Sequence, residues 1–359
     1  MNEPGQRLSR KGRGALTNAT NRFERHVHVA EDDGWGSLDD DLPPLRTTVQ
    51  ADTTRTIIAR NQSPDIPFDR SINPYRGCEH GCVYCFARPT HAYLGLSPGQ
   101  DFESRLFAKP NAAALLRAEL ARPGYRCRVM AMGTNTDPYQ PIERTWQVTR
   151  QVLKVLAETE HPVGIVTKSA LIQRDIDILA PMAGRGLAKA FVSVTTLDRE
   201  LARRMEPRVA APERRLETIQ ALAAAGIPTG VMFAPAIPGL NDHEMERVLE
   251  AAAQAGATMA GTVLIRLPLE IKDLFREWLE THVPDRAKRV ITLIRECHEG
   301  KDYVAEFRRR QVGTGPIAQM LNQRFRLAAK RYGLDGDAAT LDTTRFRPPR
   351  ADTAQLSLL

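Results

Sequence analysis

Three cysteines fall close together in the run Asn73-Pro-Tyr-Arg-Gly-Cys78-Glu-His-Gly-Cys82-Val-Tyr-Cys85. Thiolates spaced four and then three positions apart can converge on one inorganic centre, because Gly77 and Gly81 let the backbone curl around it. What they hold depends on the fourth ligand. A structural zinc needs four protein donors, and His80 could be the fourth, although its short tether strains that geometry. A cubane 4Fe-4S cluster takes soft thiolates, and three of them leave one iron without a protein ligand. That iron offers a small chelating molecule a place on the cluster itself.

The rest of the chain must fold to position this loop. Its 359 residues are 42% hydrophobic, 26% charged and 6% aromatic, which excludes disorder throughout, collagen and a membrane bundle. No stretch approaches the roughly 18 to 20 uninterrupted apolar residues that span a bilayer, so no membrane association is expected. The basic start MNEPGQRLSRKGRG has no apolar run behind it, and a cytoplasmic location is expected. The formal charge of +7 favours anionic partners, nucleic acid among them, without identifying one. Five cysteines are too few and too unevenly placed for a disulfide framework.

Residues 1–65 mix basic and acidic patches with scattered Gly and Pro and read as an extended, partly disordered arm. Residues 66–275 form the core. From about residue 68, short β-branched or apolar runs alternate with longer amphipathic stretches, the pattern of βα units. The expected strands are Ser71 to Tyr75, Arg128 to Met132, Val163 to Thr167, Ala190 to Thr195, Pro228 to Phe233 and Gly261 to Leu267. Helices are signalled by Pro141 ahead of Val152, Val155 and Leu156, and by Leu216, Ile219 and Leu222 closed by Gly226. Asn241 followed by Glu244 reads as a capping box. Six units suit an α/β fold of the partial (β/α)6 TIM-like barrel type, with a doubly wound sheet as the other option. Either puts ligands at the carboxyl ends of the strands. Residues 276–335 read as a basic helical extension carrying Arg308, Arg309 and Arg310, and 336–359 as a flexible tail.

Cys78, Cys82 and Cys85, with aromatic Tyr84 before the third, resemble the CxxxCxΦC signature of the radical S-adenosylmethionine (SAM) superfamily. The resemblance implies a 4Fe-4S cluster whose open iron is chelated by SAM. It implies reductive cleavage of SAM to a 5'-deoxyadenosyl radical acting on an unidentified substrate, and a flavodoxin or ferredoxin-type electron donor. It also assigns strand-end residues to the cofactor. Thr134, Asn135, Thr136 and Asp137 lie where that family meets the amino group of SAM. Lys168 and Ser193 resemble positions that contact SAM in the spore photolyase branch. The turn containing Ala236 resembles the loop that wraps the adenine, and Tyr84 would meet the same base.

The runs SINPYRGCEHGCVYC, TNTDPYQP, IVTKS and Met205-Glu-Pro-Arg208 are similar to a bacterial group of uncharacterised proteins related to spore photolyase, as are Lys11-Gly-Arg-Gly-Ala and Asn21-Arg-Phe-Glu24. The chain departs from spore photolyases where they carry a hydrogen-donating cysteine, because the turn Gly133 to Asp137 has no thiol. Only Cys127 and Cys297 remain, too few for a second cubane of the usual thiolate type. The rival reading is a zinc-stabilised nucleic-acid-binding module without radical chemistry.

Overall fold

The computed structural model describes residues 12–24, 45–336 and 340–349. Ten strands are present among these residues: β1 (Thr48–Ala51), β2 (Ile58–Arg60), β3 (Arg70–Ile72), β4 (Tyr75–Arg76), β5 (Arg105–Ala108), β6 (Met130–Met132), β7 (Val163–Thr167), β8 (Ala188–Ser193), β9 (Thr229–Ala236) and β10 (Met259–Leu264).

The main sheet runs β10-β9-β8-β7-β6-β3-β2, with every pairing parallel except that of β2 with β3. Six parallel strands joined by helices form the partial barrel that the pattern implies, and β2 is an added antiparallel edge. The sequence placed β7 to the residue. It placed β8 and β10 about two residues late, because Ala188 and Met259 are apolar enough to begin the pairing two residues earlier. Val152, Leu153, Val155 and Leu156 on the helix Val148–Glu158 are buried against the sheet. That helix does not run back to Pro141: Gln147, at φ 50, separates it from the short helix Glu143–Trp146.

The free edge of β10 is covered by chain from the C-terminal extension. Leu264 donates its amide to the Gln311 carbonyl at 2.8 Å, and Ala260 to Leu334 at 3.0 Å. None of the helices among the described residues is long and apolar enough to cross a membrane.

Two terminal expectations change. Part of the segment read as an extended arm is built into the fold: β1 pairs parallel to β5, which in turn pairs with β4, the short strand leading into the cysteine loop. Ala15 and Leu16 are buried. Within the expected flexible tail, Leu341 is buried, and Phe346 packs on Tyr125 and His161 at centroid distances of 5.3 and 5.4 Å. The first segment holds through backbone bonds to Glu103 and to β5, the second because Phe346 finds ring partners on the barrel. Residues 1–11, 25–44, 337–339 and 350–359 of those two regions lie outside the described residues.

Candidate active site

The cysteine loop leaves the barrel just past the carboxyl end of β3, by way of β4. Gly77 and Gly81 sit at φ +73 and +69, the left-handed region a curled loop requires. The loop closes on itself through amides of Gly81 and Cys85 donating to the carbonyls of Cys78 and Cys82 at 3.3 and 3.2 Å. Cys78 and Cys82 are buried and Cys85 half-buried. Burial pushes all three thiols up, and Cys78 is pushed further by Asp137 and by the charges of Cys82 and Cys85. A cationic centre placed among them reverses that effect, since metal binding and thiol deprotonation are coupled.

A single zinc would draw its donors to about 2.0 to 2.3 Å of one point. Among the described residues no three His, Cys, Asp or Glu side chains are gathered in that way. His80, the candidate fourth zinc donor, turns Nδ1 toward Asp137 Oδ2 at 3.4 Å. Three thiolates on one loop are soft donors of the kind an iron–sulfur centre takes.

Beneath the loop lies a buried ion pair. Arg88 donates to the Cys82 and Gly81 carbonyls at 2.9 and 3.1 Å and to Glu103 at 2.5 Å. Glu103 also accepts the amides of Gly14 and Ala15 at 2.9 and 2.8 Å, which ties the amino-terminal segment to the same point.

The turn after β6 behaves as a bracket. Asn73 accepts the Asn135 amide at 3.1 Å and the Thr134 hydroxyl at 3.4 Å, and Thr136 donates to the Tyr75 carbonyl at 3.2 Å. Asp137 accepts from the Thr167 hydroxyl at 2.7 Å and from the Lys168 and Tyr139 amides at 2.8 Å each. Burial works to raise the Asp137 pKa, but His80 and these donors outweigh it and hold it below the usual carboxylate range. Asp137 is therefore already saturated by the protein. What this turn still offers an ammonium is its carbonyl oxygens.

Lys168 points into a knot that the sequence reading did not foresee. Its ammonium lies 3.2 Å from Glu206 Oε1, 3.1 Å from the Thr195 hydroxyl, 3.2 Å from the Ala234 carbonyl and 5.7 Å from the Tyr84 ring centre. Glu206 is fully buried and also takes bonds from Tyr84 Oη, Thr195 and Arg215. Burial would raise its pKa, yet Arg215 and Lys168 hold it well below the normal carboxylate range. One carboxylate between two cations leaves this corner with an excess positive charge.

Ser193 ends β8, and its carbonyl is held by Arg215 at 3.2 Å. Ala236 ends β9, and its carbonyl accepts the Ile265 amide at 3.0 Å. Asn241 does not cap a helix with its side chain. Instead Asn241 donates to the Thr195 and Pro235 carbonyls at 2.8 and 3.0 Å and accepts the Ile237 amide, fixing the two strand ends together. Satisfying three backbone groups at the strand ends outweighs one helix amide, that of Glu244, which the Asn241 carbonyl already accepts at 3.0 Å. The cysteines and Tyr84, the turn 134–137, Lys168, Ser193 and Ala236 thus share the carboxyl end of the sheet. The signal for Glu206 was present in the Met205-Glu-Pro-Arg208 run, but nothing local connects it to Tyr84. Two cavities of about 490 and 420 Å³ flank the helix Arg199–Met205, the first lined by Arg204, His243, Arg247 and Arg286, the second reaching Glu206 and Arg215 from outside.

The family model "Radical SAM superfamily" matches residues 72–252. An uncharacterised protein of Mycobacterium tuberculosis (strain ATCC 25618 / H37Rv) is 36% identical over 82% of this chain and 83% of its own. An uncharacterised protein of Methanocaldococcus jannaschii is 27% identical over 48% of this chain and 62% of its own. Among solved structures, spore photoproduct lyase complexed with dinucleoside spore photoproduct aligns with a TM-score of 0.54 at 15% identity, covering 79% of this chain and 78% of that one. A variant of that lyase with bound AdoMet and the same dinucleoside aligns at 0.51. At such identity the likeness speaks for the fold.

Proposed function

The chain belongs to the radical SAM superfamily, and from that premise we propose that Cys78, Cys82 and Cys85 hold a 4Fe-4S cluster whose remaining iron receives SAM. The observation that carries this reading is the placement of three thiols, two buried and one half-buried, on one glycine-curled loop at the carboxyl end of the first parallel strand. Once bound and reduced, such a cluster supplies one electron to the SAM sulfonium, which splits into methionine and a 5'-deoxyadenosyl radical that takes hydrogen from the substrate.

The chain's own residues bind, orient and exclude water. Carbonyls of the turn 134–136 would accept from the SAM ammonium, with Asp137 fixing the turn. The excess positive charge of Lys168 and Arg215 over Glu206 attracts the SAM carboxylate, with Lys168 the nearer to solvent. Ser193, Ala236 and Tyr84 line the same end for ribose and adenine. A small one-electron carrier of flavodoxin or ferredoxin type is the fitting donor.

The repair reaction of spore photoproduct lyase is not part of the proposal. The turn after β6 lacks a thiol, and Cys127 precedes β6, beside Arg70 and Asp342 at the opposite end of the barrel.

The test is anaerobic reconstitution with iron and sulfide, followed by dithionite and SAM. The expected result is a broad absorbance in the region of 400 nm and formation of 5'-deoxyadenosine, both lost in C78A, C82A and C85A. A colourless protein retaining one zinc per chain would overturn the reading in favour of a binding module.

A further inference from the structure

Four aromatic side chains stand out from the surface among the described residues: Phe23, Phe86, Tyr93 and Phe307, each at least 43% exposed. Single exposed rings are common and need no account. Here each one carries a guanidinium. Arg266 lies 4.0 Å over the Phe86 ring, Arg310 4.8 Å over Phe307, and Arg22 4.6 and 5.0 Å over Phe23 and Tyr93.

The pairs come from distant parts of the chain, yet they adjoin one another. Arg22 bonds Glu270 at 3.0 Å, in the loop that Arg266 opens just past β10. The Leu264 amide donates to the Gln311 carbonyl at 2.8 Å, which brings Arg310, and Phe307 beneath it, to the strand end that Arg266 follows. Phe86 directly follows Cys85. The belt therefore runs past the cysteine loop.

Its charges are largely spent within the protein. Arg22 pairs with Glu270, and Arg310 with Asp65 at 2.6 Å, whereas Arg266 has no carboxylate at ion-pair distance among the described residues. A surface built for duplex phosphates would present free cations and would not need protruding rings. Ring faces backed by arginines are instead what unpaired bases stack upon. We propose that this belt docks a single-stranded nucleic acid, with one base on Phe86 beside the cysteine loop and a backbone phosphate on Arg266. The proposal deepens the functional reading above and rests on it for where chemistry would meet the strand.

The test uses the full-length, iron-loaded protein and fluorescent single strands of about 12 nucleotides, as DNA and as RNA, read by anisotropy. Binding of either strand is expected, with F307A and F86A each weakening it about ten-fold. Heparin, which carries charge without bases, should compete poorly. Iron content and circular dichroism verify that the variants are folded. F23A, remote from the cysteines, gives the same reading should F86A lose iron. Absence of binding, tighter binding of duplex, equal competition by heparin, or unchanged affinity in folded F307A and F23A would each overturn the proposal. 5'-Deoxyadenosine formation is scored separately: its absence alongside intact strand binding would remove the radical reading and leave the belt standing.

Discussion

Arg88 and Glu103 form a fully buried ion pair at 2.5 Å, and the cysteine loop hangs from it. Arg88 spends its remaining donors on the carbonyls of Cys82, Gly81, Pro98 and Gly99, while Glu103 gathers the amides of Gly14 and Ala15. A buried pair so fully bonded fixes geometry more than it adds stability. These bonds hold the two loop carbonyls, of Gly81 and Cys82, on either side of the second cysteine's amide.

Removing one partner should cost far more than the pair contributes. In R88A the Glu103 carboxylate is left buried without a counter-charge, and a loss of about 3 to 5 kcal/mol in unfolding free energy is expected. Urea denaturation of the metal-free protein measures it. Iron bound after reconstitution should fall with it, because the carbonyls of Gly81 and Cys82 lose their anchor. Parental stability and full iron content in R88A would show that the loop holds its shape unaided.

A milder change probes the same contact from the other side. A Cβ built on Gly14 comes 1.8 Å from the Gly81 carbonyl oxygen, an overlap that rotamer changes cannot relieve because both partners are backbone. G14A is therefore expected to lift the amino-terminal segment off the loop and to hasten loss of the cluster in air. The decay of the reconstituted chromophore, compared with the parent, checks this. Identical decay would mean that the segment does not shield the centre.

The barrel was legible because parallel strands buried on both faces read as apolar runs at βα spacing, as Val163–Thr167 does. The cysteines were legible because their spacing is local. Glu206 was not, since its partners Tyr84, Lys168 and Arg215 come from three different elements and meet only after the sheet has formed. Asn241 misled for the same reason: a local capping pattern is outweighed by three backbone groups at the strand ends. Gly14 carries no periodicity at all, and its close approach to Gly81 is visible only in three dimensions.

Acid should destabilise the chain partly through its buried histidines. Burial lowers His161 to about 4, and its Nε2 meets Tyr125 Oη at 2.8 Å on the face where Phe346 packs. The unfolded chain takes up this proton near pH 6.5 and the folded chain only near pH 4. The contribution is thus full above pH 6.5, is lost as pH falls through that window, and amounts to about 3 kcal/mol. Carboxylates titrate in the lower part of the same range, so the comparison is with H161Q, whose stability should fall less between pH 6.5 and 4. Parallel pH profiles would show that His161 is protonated equally in both states.

Lys168 offers the sharpest test of how SAM is oriented. Its ammonium shares Glu206 with Arg215, so K168M leaves Glu206 still paired and removes only the cation nearest the opening. The fold and the iron centre should survive, while SAM affinity falls by about ten-fold or more, the worth of one charge-assisted hydrogen bond. E206Q should do the opposite: two buried cations lose their shared anion, so stability falls by about 3 kcal/mol or more before binding is considered. Equilibrium binding of labelled SAM, set beside denaturation curves for both variants, separates the two effects. If K168M binds SAM as the parent does, Lys168 serves only to hold Glu206 and Tyr84 in place. The SAM carboxylate must then be met elsewhere on the rim.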